Sequence, residues 1–244
     1  MSILNPLPIL PLPLIIECRI IARTSLFTVE AEIAGRRETV YLGNTGRLRG
    51  IIEHGKKGFC IENKSGKLKH RLIGVEKDKY AYLVDTLIQE RAFIAVHGKG
   101  LIPWLRGCSL LGKNYRLSSE IIDYAFKCNS EVVLVELKSA VMELEGGFAG
   151  YPDAPTQRGR RQLEVLAEYA LRGGRAFVVF IAGVPNPRGF KLYCGVDQAI
   201  KRFVDKAVKA GVVFKSINIF LDPLMKEVVL GDVDLKTDLD CEIK

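Results

Sequence analysis

The chain has 244 residues, room for one large domain or two modest ones, and its 48% hydrophobic and 26% charged residues build a packed core and exclude wholesale disorder. Lys and Arg number 36 against 28 Asp and Glu, a formal charge of +8. The excess lies in the body, +6 over residues 1–80 and +6 over 81–221, whereas 222–244 carry −4, so the body attracts a polyanion or an anionic membrane surface.

The first sixteen residues carry no charge, but Pro6, Pro8, Pro11 and Pro13 break any helix and no basic region precedes the apolar run. An extended lead-in packed on the body is expected, rather than an export signal or membrane anchor. From Ile15 to about Tyr80, short segments such as 26–33 and 38–42 mix β-branched and polar residues, with turns at 34–36, 43–46 and 54–56. Strands at this spacing predict a small barrel or sandwich without a helix of normal length.

Beyond Tyr80 the pattern changes to a helix over 85–95, a loop over 102–111 holding the lone Trp104, and strands over 117–126 and 132–138 with a turn at 127–130. A Gly/Pro connection over 146–155 leads to a helix over 157–171 with one apolar stripe, stopped by Gly173 and Gly174. A buried strand over 176–182, a helix over 199–210 and a strand over 212–220 complete a mixed α/β layer fold. These patterns divide the chain into domains 1–80 and 81–244.

Six cysteines, each 20 or more residues from the next, show no CxxC pair, so idle thiols in a reducing cytosol are expected rather than disulfides or a zinc site. His54, His70 and His97 fit no metal-ligand spacing and are expected on the surface or in the core. No phosphate-binding P-loop, dinucleotide fingerprint or nucleophile elbow occurs.

The segment 131–138, Glu-Val-Val-Leu-Val-Glu-Leu-Lys, is the most informative. Along a strand Val132, Leu134, Glu136 and Lys138 share one face, and Val133, Val135 and Leu137 the other. Apolar residues on both faces mark a central strand, yet one end carries a carboxylate beside an ammonium. If the preceding strand forms a hairpin turning at Asn129-Ser130, Asp123 lies opposite Glu136, and a slip of one or two residues still leaves them about 5–8 Å apart. Either proton sharing or a divalent cation relieves the repulsion of two such carboxylates, and oxygen ligation suits Mg²⁺ or Mn²⁺. Asp123 and Glu136, with the Leu137 carbonyl, form the expected metal set, and Lys138 orients or helps deprotonate an attacking water. A structural ion-pair network is the alternative.

The helix at 157–171 opens Gln-Arg158-Gly-Arg160-Arg161-Gln162, and positive charge there opposes the helix dipole. A bound phosphate would reverse that sign, so Arg158, Arg160, Arg161 and Gln162 are candidate phosphate contacts, with Asp153 or Thr156 as the helix cap. Asn44, Arg47 and Arg49, in and after an Asn-Thr-Gly turn, are weaker candidates for tracking the same backbone.

With these motifs assembled, the chain resembles the sugar fermentation stimulation protein (SfsA) family. Residues 151–160, Tyr-Pro-Asp-Ala-Pro-Thr-Gln-Arg-Gly-Arg, are similar to its F-P-D-A-x-T-x-R-G stretch, Val135 to Ser139 resembles its V-E-V-K-S strand, and Asn44 to Arg47 its P-N-T-G turn. Order and spacing agree over about residues 17–230. The resemblance implies an N-terminal OB-like β-barrel that binds DNA, followed by a PD-(D/E)xK nuclease-like α/β domain with Asp123, Glu136 and Lys138 as its metal and catalytic set. Three positions depart from the pattern: Glu120 to Tyr124 lacks an arginine two places before Asp123, Gly43 replaces a proline, and Leu26 replaces a basic residue before Phe27.

Two readings follow. One is a Mg²⁺-dependent phosphodiester hydrolase acting on DNA, in which Arg158 and Arg161 grip the strand. The other is a non-catalytic DNA-binding regulator of sugar-utilisation genes. Both expect a cytoplasmic protein that contacts the DNA backbone with little sequence specificity, and a homodimer is compatible with either. A membrane partner ranks far behind, since no long amphipathic cationic helix is present.

Overall fold

A computed structural model describes residues 5–64 and 66–242. The proline-rich start is itself a strand, β1 (Leu7–Pro11), followed by β2 (Ile16–Arg23), β3 (Thr28–Ile33), β4 (Arg36–Leu42), β5 (Lys57–Glu62) and β6 (His70–Lys77). Strands β2 to β6 close on themselves: β3 pairs with β2 and β4, β5 with β2 and β6, and a short parallel contact of β4 with β6 shuts the barrel. This is the five-stranded OB barrel anticipated for the N-terminal part. Alternation along each strand turns Cys18, Ile20, Val29, Ala31, Val40, Leu42, Cys60 and Leu72 inward.

Then come β7 (Tyr80–Leu83) and α1 (Thr86–Gly98), β8 (Cys108–Leu117), β9 (Glu120–Cys128), β10 (Glu131–Ala140), β11 (Met142–Leu144) and β12 (Phe148–Tyr151). After them lie α2 (Gln157–Leu171), β13 (Arg175–Ala182), β14 (Phe190–Tyr193), α3 (Ile200–Lys209), β15 (Val213–Asp222), β16 (Glu227–Asp232) and β17 (Thr237–Glu242). One sheet runs from the barrel through β7, β15, β13, β10 and β9 to β8, with β16 and β1 attached at β15. A second sheet has the order β11, β12, β14, β17. Strand β10 is parallel to β13 and antiparallel to β9, so it is central, as its two apolar faces demand. Val133 and Val135 pack with Ile88, Phe93 and Val96 of α1, whereas Leu134 packs with Leu163, Leu166 and Ala167 of α2.

The structure corrects several expectations. Part of the loop expected over 102–111 is strand β8. Its side chains are mostly exposed and none is buried, so no apolar alternation announced it, and pairing with β9 alone makes it a strand. The connection over 146–155 contains β12, and β14, β16 and β17 lie outside the expected elements because each is defined by pairing with its neighbours.

The cysteine expectation fails for four of the six: Cys108 is bonded to Cys128, and Cys194 to Cys241. Cys108 and Cys128 face each other in the β8–β9 register, and the parallel pairing of β14 with β17 brings the other two together, neither of which linear spacing reveals. Cys18 and Cys60 are free and buried, as expected. His70 is buried against Glu38 and His97 bonds the Cys108 carbonyl. Among the described residues no helix is long and apolar enough to cross a membrane.

The barrel meets α1 through a buried ion pair. Asp85 caps α1 by accepting from the Ile88 N–H at 2.9 Å, and its other oxygen accepts from Arg71 Nε of β6 at 2.5 Å. Gly43 stands against this pair, and a Cβ there would clash with Asp85 and Arg71, which explains glycine at this position. Asp85→Ala removes the cap and leaves Arg71 unpaired; chemical denaturation should show a loss of about 3–5 kcal/mol.

Candidate active site

The β9–β10 ladder pairs Glu131 with Cys128 through Val135 with Tyr124, and the next step would place Glu136 opposite Asp123. There the strands part. The Leu137 N–H donates to Asp123 Oδ2 at 2.7 Å, and the Asp123 N–H donates to Glu136 Oε2 at 3.2 Å. Each carboxylate thus satisfies a backbone donor that the ladder leaves open. Lys138, two residues along the same face, donates to Glu136 Oε1 at 2.7 Å and to Gln162 Oε1 of α2 at 2.6 Å. Gln162 donates in turn to the Ile121 carbonyl at 3.0 Å, so its amide bridges β9 and the lysine.

Glu136 is 2% exposed and Lys138 9%. Burial pulls the Lys138 ammonium down, but Glu136, with Tyr151 and Asp123, outweighs it and holds the group above its usual range. Burial, then the Glu136 charge, pushes Asp123 from its ordinary 3.8 to about 7, against the Leu137 N–H and Lys138. Glu90 of α1 is also pushed up, by burial and by Asp85 and Glu136, with Lys113 opposing.

These groups line a cleft of about 570 Å³. Asp123, Glu136 and Lys138 form its floor; Leu26, Asn44, Thr45 and Gly46 of the barrel form one wall, and Asp153, Thr156 and Arg158 before and within α2 the other. The walls are tied together: Asp153 Oδ2 accepts from the Leu48 N–H at 2.5 Å, and Asn44 Nδ2 donates to the Val84 carbonyl at 2.9 Å and Ser139 Oγ at 3.2 Å.

The other candidates separate. Asn44 is buried and structural in its contacts, while Arg47 and Arg49 are exposed beside Asp153. Thr156, not Asp153, caps α2, accepting from the Gly159 N–H at 2.9 Å. The anion at this helix start is the Asp197 carboxylate, which accepts from the Thr156 N–H and is ion-paired with Arg160; Arg161 pairs with Glu120 at 2.6 Å. Charge that the sequence assigned to a phosphate is therefore partly answered within the protein. Arg158 remains exposed and lines the cleft.

Sequence reasoning missed Glu90, Asp153 as a tie between the walls, and Arg23. The Arg23 guanidinium donates to the carbonyls of Ser25, Leu26, Asn44, Gly46 and Arg47 and so shapes the barrel wall. Glu90 gave only the signal of a carboxylate beside the apolar stripe Ile88, Ala92, Phe93 and Val96, which many solvated helices share.

A family model described as the sugar fermentation stimulation protein RE domain matches residues 87–224, and one described as the SfsA N-terminal OB domain matches 21–84. The chain belongs to the sugar fermentation stimulation protein family. A homologue from Archaeoglobus fulgidus is 39% identical over 221 residues, covering 91% of this chain and 94% of the relative. One from Pyrococcus furiosus is 32% identical over 226 residues, covering 93% and 95%. A solved structure of Pyrococcus furiosus SfsA in complex with Ca²⁺ matches with a TM-score of 0.91 at 31% identity, over 96% of this chain and all of that one.

Among the described residues no group of three or more His, Cys, Asp or Glu is placed to hold a metal ion. Two adjacent carboxylates still fit a hard divalent cation, which takes one or two carboxylates and completes its shell with water and phosphate.

The Asp123 shift has a stability consequence. Between about pH 4 and 7 the metal-free folded protein holds a proton that the unfolded chain has lost, so this contribution to stability falls as pH rises through that window. Denaturation in EDTA should show wild type losing on the order of 1–4 kcal/mol more than Asp123→Asn between pH 4.5 and 7.5. Parallel losses would contradict the assignment.

Proposed function

We propose that this chain binds DNA and hydrolyses phosphodiester bonds with the help of Mg²⁺ or Mn²⁺. The observation that carries the reading is the convergence of Asp123 and Glu136, joined through each other's strands, on Lys138 at the floor of an open cleft. The Ca²⁺ bound by the Pyrococcus furiosus relative and the basic surface of a chain carrying +8 support it.

Asp123, Glu136 and the Leu137 carbonyl would hold the cation, which supplies Lewis acidity and a lowered pKa for a bound water. Lys138 is held protonated by Glu136 and Gln162, so it orients the nucleophile and meets charge developing on the phosphate, and does not act as the base. Gln162 positions that ammonium. Arg158, at the cleft, and Arg47 and Arg49, on the barrel side, take neighbouring phosphates; Arg160, Arg161 and Asn44 shape the walls. A DNA ligand accords with residence in the cytoplasm.

The second reading, a non-catalytic DNA-binding regulator of sugar-utilisation genes, draws on one observation: both oxygens of Glu136 are already hydrogen-bonded within the protein. One pair of measurements separates the two. With Mg²⁺ or Mn²⁺, wild type should nick supercoiled plasmid and Glu136→Gln should lose at least about a hundredfold in rate, while both bind DNA equally in EDTA. Binding without nicking under either metal overturns the hydrolase reading and leaves non-catalytic DNA binding.

A further inference from the structure

The two cysteines that carry no bond, Cys18 and Cys60, both point into the barrel. In the β2–β5 pairing Cys18 lies opposite Gly58 and Cys60 opposite Ile16, so the two are diagonal neighbours on the inner face. Their sulfurs are 3.5 Å apart, and the Cys60 S–H donates to Cys18 Sγ. A disulfide holds its sulfurs about 2.05 Å apart, so a closing movement of about 1.5 Å separates this dithiol from the bonded state. Gly58 leaves room beside it: a Cβ there would stand 2.7 Å from Cys18 Sγ.

The two thiols are not equivalent. The bond that Cys60 gives to Cys18, and then burial, push the Cys60 thiol far up. The same bond pulls Cys18 below the usual thiol range, with help from the Gly58 backbone and against burial. Cys60 is fully buried, whereas Cys18 is 6% exposed and lines an open groove of about 710 Å³ on the barrel. The sulfur that a ligand can reach is therefore the one closer to thiolate, and the sealed sulfur stands behind it. The groove carries both signs of charge, with Lys57 set between Glu17 and Glu76, so it suits a small uncharged molecule.

An accessible thiol of lowered pKa with a second thiol behind it is the arrangement of a nucleophilic and a resolving cysteine. We propose that Cys18 and Cys60 form a reversible thiol–disulfide site, oxidised by a small disulfide that enters this groove. The Cys18 thiolate attacks one sulfur of the entering R–S–S–R, forms a mixed disulfide and expels RS⁻, which takes up the proton that Cys18 has lost. The Cys60 sulfur then attacks Cys18 Sγ, breaks the mixed bond and expels the second RS⁻, which takes up the Cys60 proton. The protein loses two electrons and two protons, and one R–S–S–R becomes two R–SH. Excess small thiol runs the sequence backwards. The bond closes a chain loop that contains β3, β4 and the 44–46 wall of the cleft, in a barrel otherwise shut by the pairing of Tyr41 with Arg71 and Leu42 with Leu72. Oxidation therefore stabilises the barrel by restricting the unfolded chain.

In the test, full-length protein purified without reductant is incubated with 2-hydroxyethyl disulfide. Remaining thiols are alkylated in denaturant, and the tryptic peptides are identified by mass spectrometry. Wild type should give a Cys18–Cys60 cross-link that excess 2-mercaptoethanol removes, and oxidation should raise Tm by roughly 4–16 °C. A cross-link already present on purification, released by the thiol and re-formed by the disulfide, supports the site equally. Cys60→Ala should stop at a mixed disulfide on Cys18, while Cys18→Ala should leave Cys60 reacting at least about tenfold more slowly than Cys18 does in Cys60→Ala; thermal melting confirms that both variants fold. Wild type that acquires the small thiol on Cys18 without cross-linking overturns the proposal. So does a folded protein in which neither sulfur reacts while both react in denaturant, or a Cys60 that reacts as fast as Cys18. None of these readouts involves DNA, so their failure leaves the proposed function standing.

Discussion

The site depends on two backbone N–H groups that the β9–β10 ladder leaves without partners. Where the strands part beyond Val135 and Tyr124, the amide of each strand is taken by a carboxylate of the other. An unpaired amide in this buried place would be costly, so the geometry that brings the carboxylates together is enforced by the backbone. Their mutual repulsion is then managed by Lys138 and by retention of a proton on Asp123.

The barrel and the α/β sheet are coupled at the cleft and are not two bodies joined by a tether. Asn44 reaches the Val84 carbonyl and the Ser139 hydroxyl of β10, Asp153 receives the Leu48 amide, and Asp85 ties Arg71 of β6 to the start of α1. Residues of both parts therefore line the cleft. Arg23 has a matching role inside the barrel wall: by gathering five carbonyls it lets the loop at 44–47 approach the 23–27 loop closely, without a sheet between them. Gly43 is small for the same reason, since the buried pair behind it leaves no space for a side chain.

Several readings of the residues alone hold in the structure. The two-face pattern of 131–138 identified a central strand, and its faces are divided between α1 and α2 as the alternation requires. Counting back from the turn at Asn129, which has a positive φ of 56°, placed Asp123 opposite Glu136 in the register that the ladder follows. Helix α2 spans the residues that the Thr156 cap, the Leu163–Leu166–Ala167 stripe and Gly173 indicate. These features are local: a turn, an alternation and a cap are written in neighbouring residues and survive translation into three dimensions.

What the chain order could not disclose depends on residues far apart in it. Strand β8 shows no alternation because an edge strand with exposed faces is defined by hydrogen bonds to β9. The pairs Cys108–Cys128 and Cys194–Cys241, and the Asp197 carboxylate at the start of α2, require that sheets and loops first be assembled. By itself the sequence determined the barrel-then-α/β order, the central strand and the Asp123, Glu136 and Lys138 triad, because periodicity and register act over a few residues. Only the tertiary structure decided which arginines face the cleft and which cysteines pair, because long-range contacts assign each charge and thiol its partner.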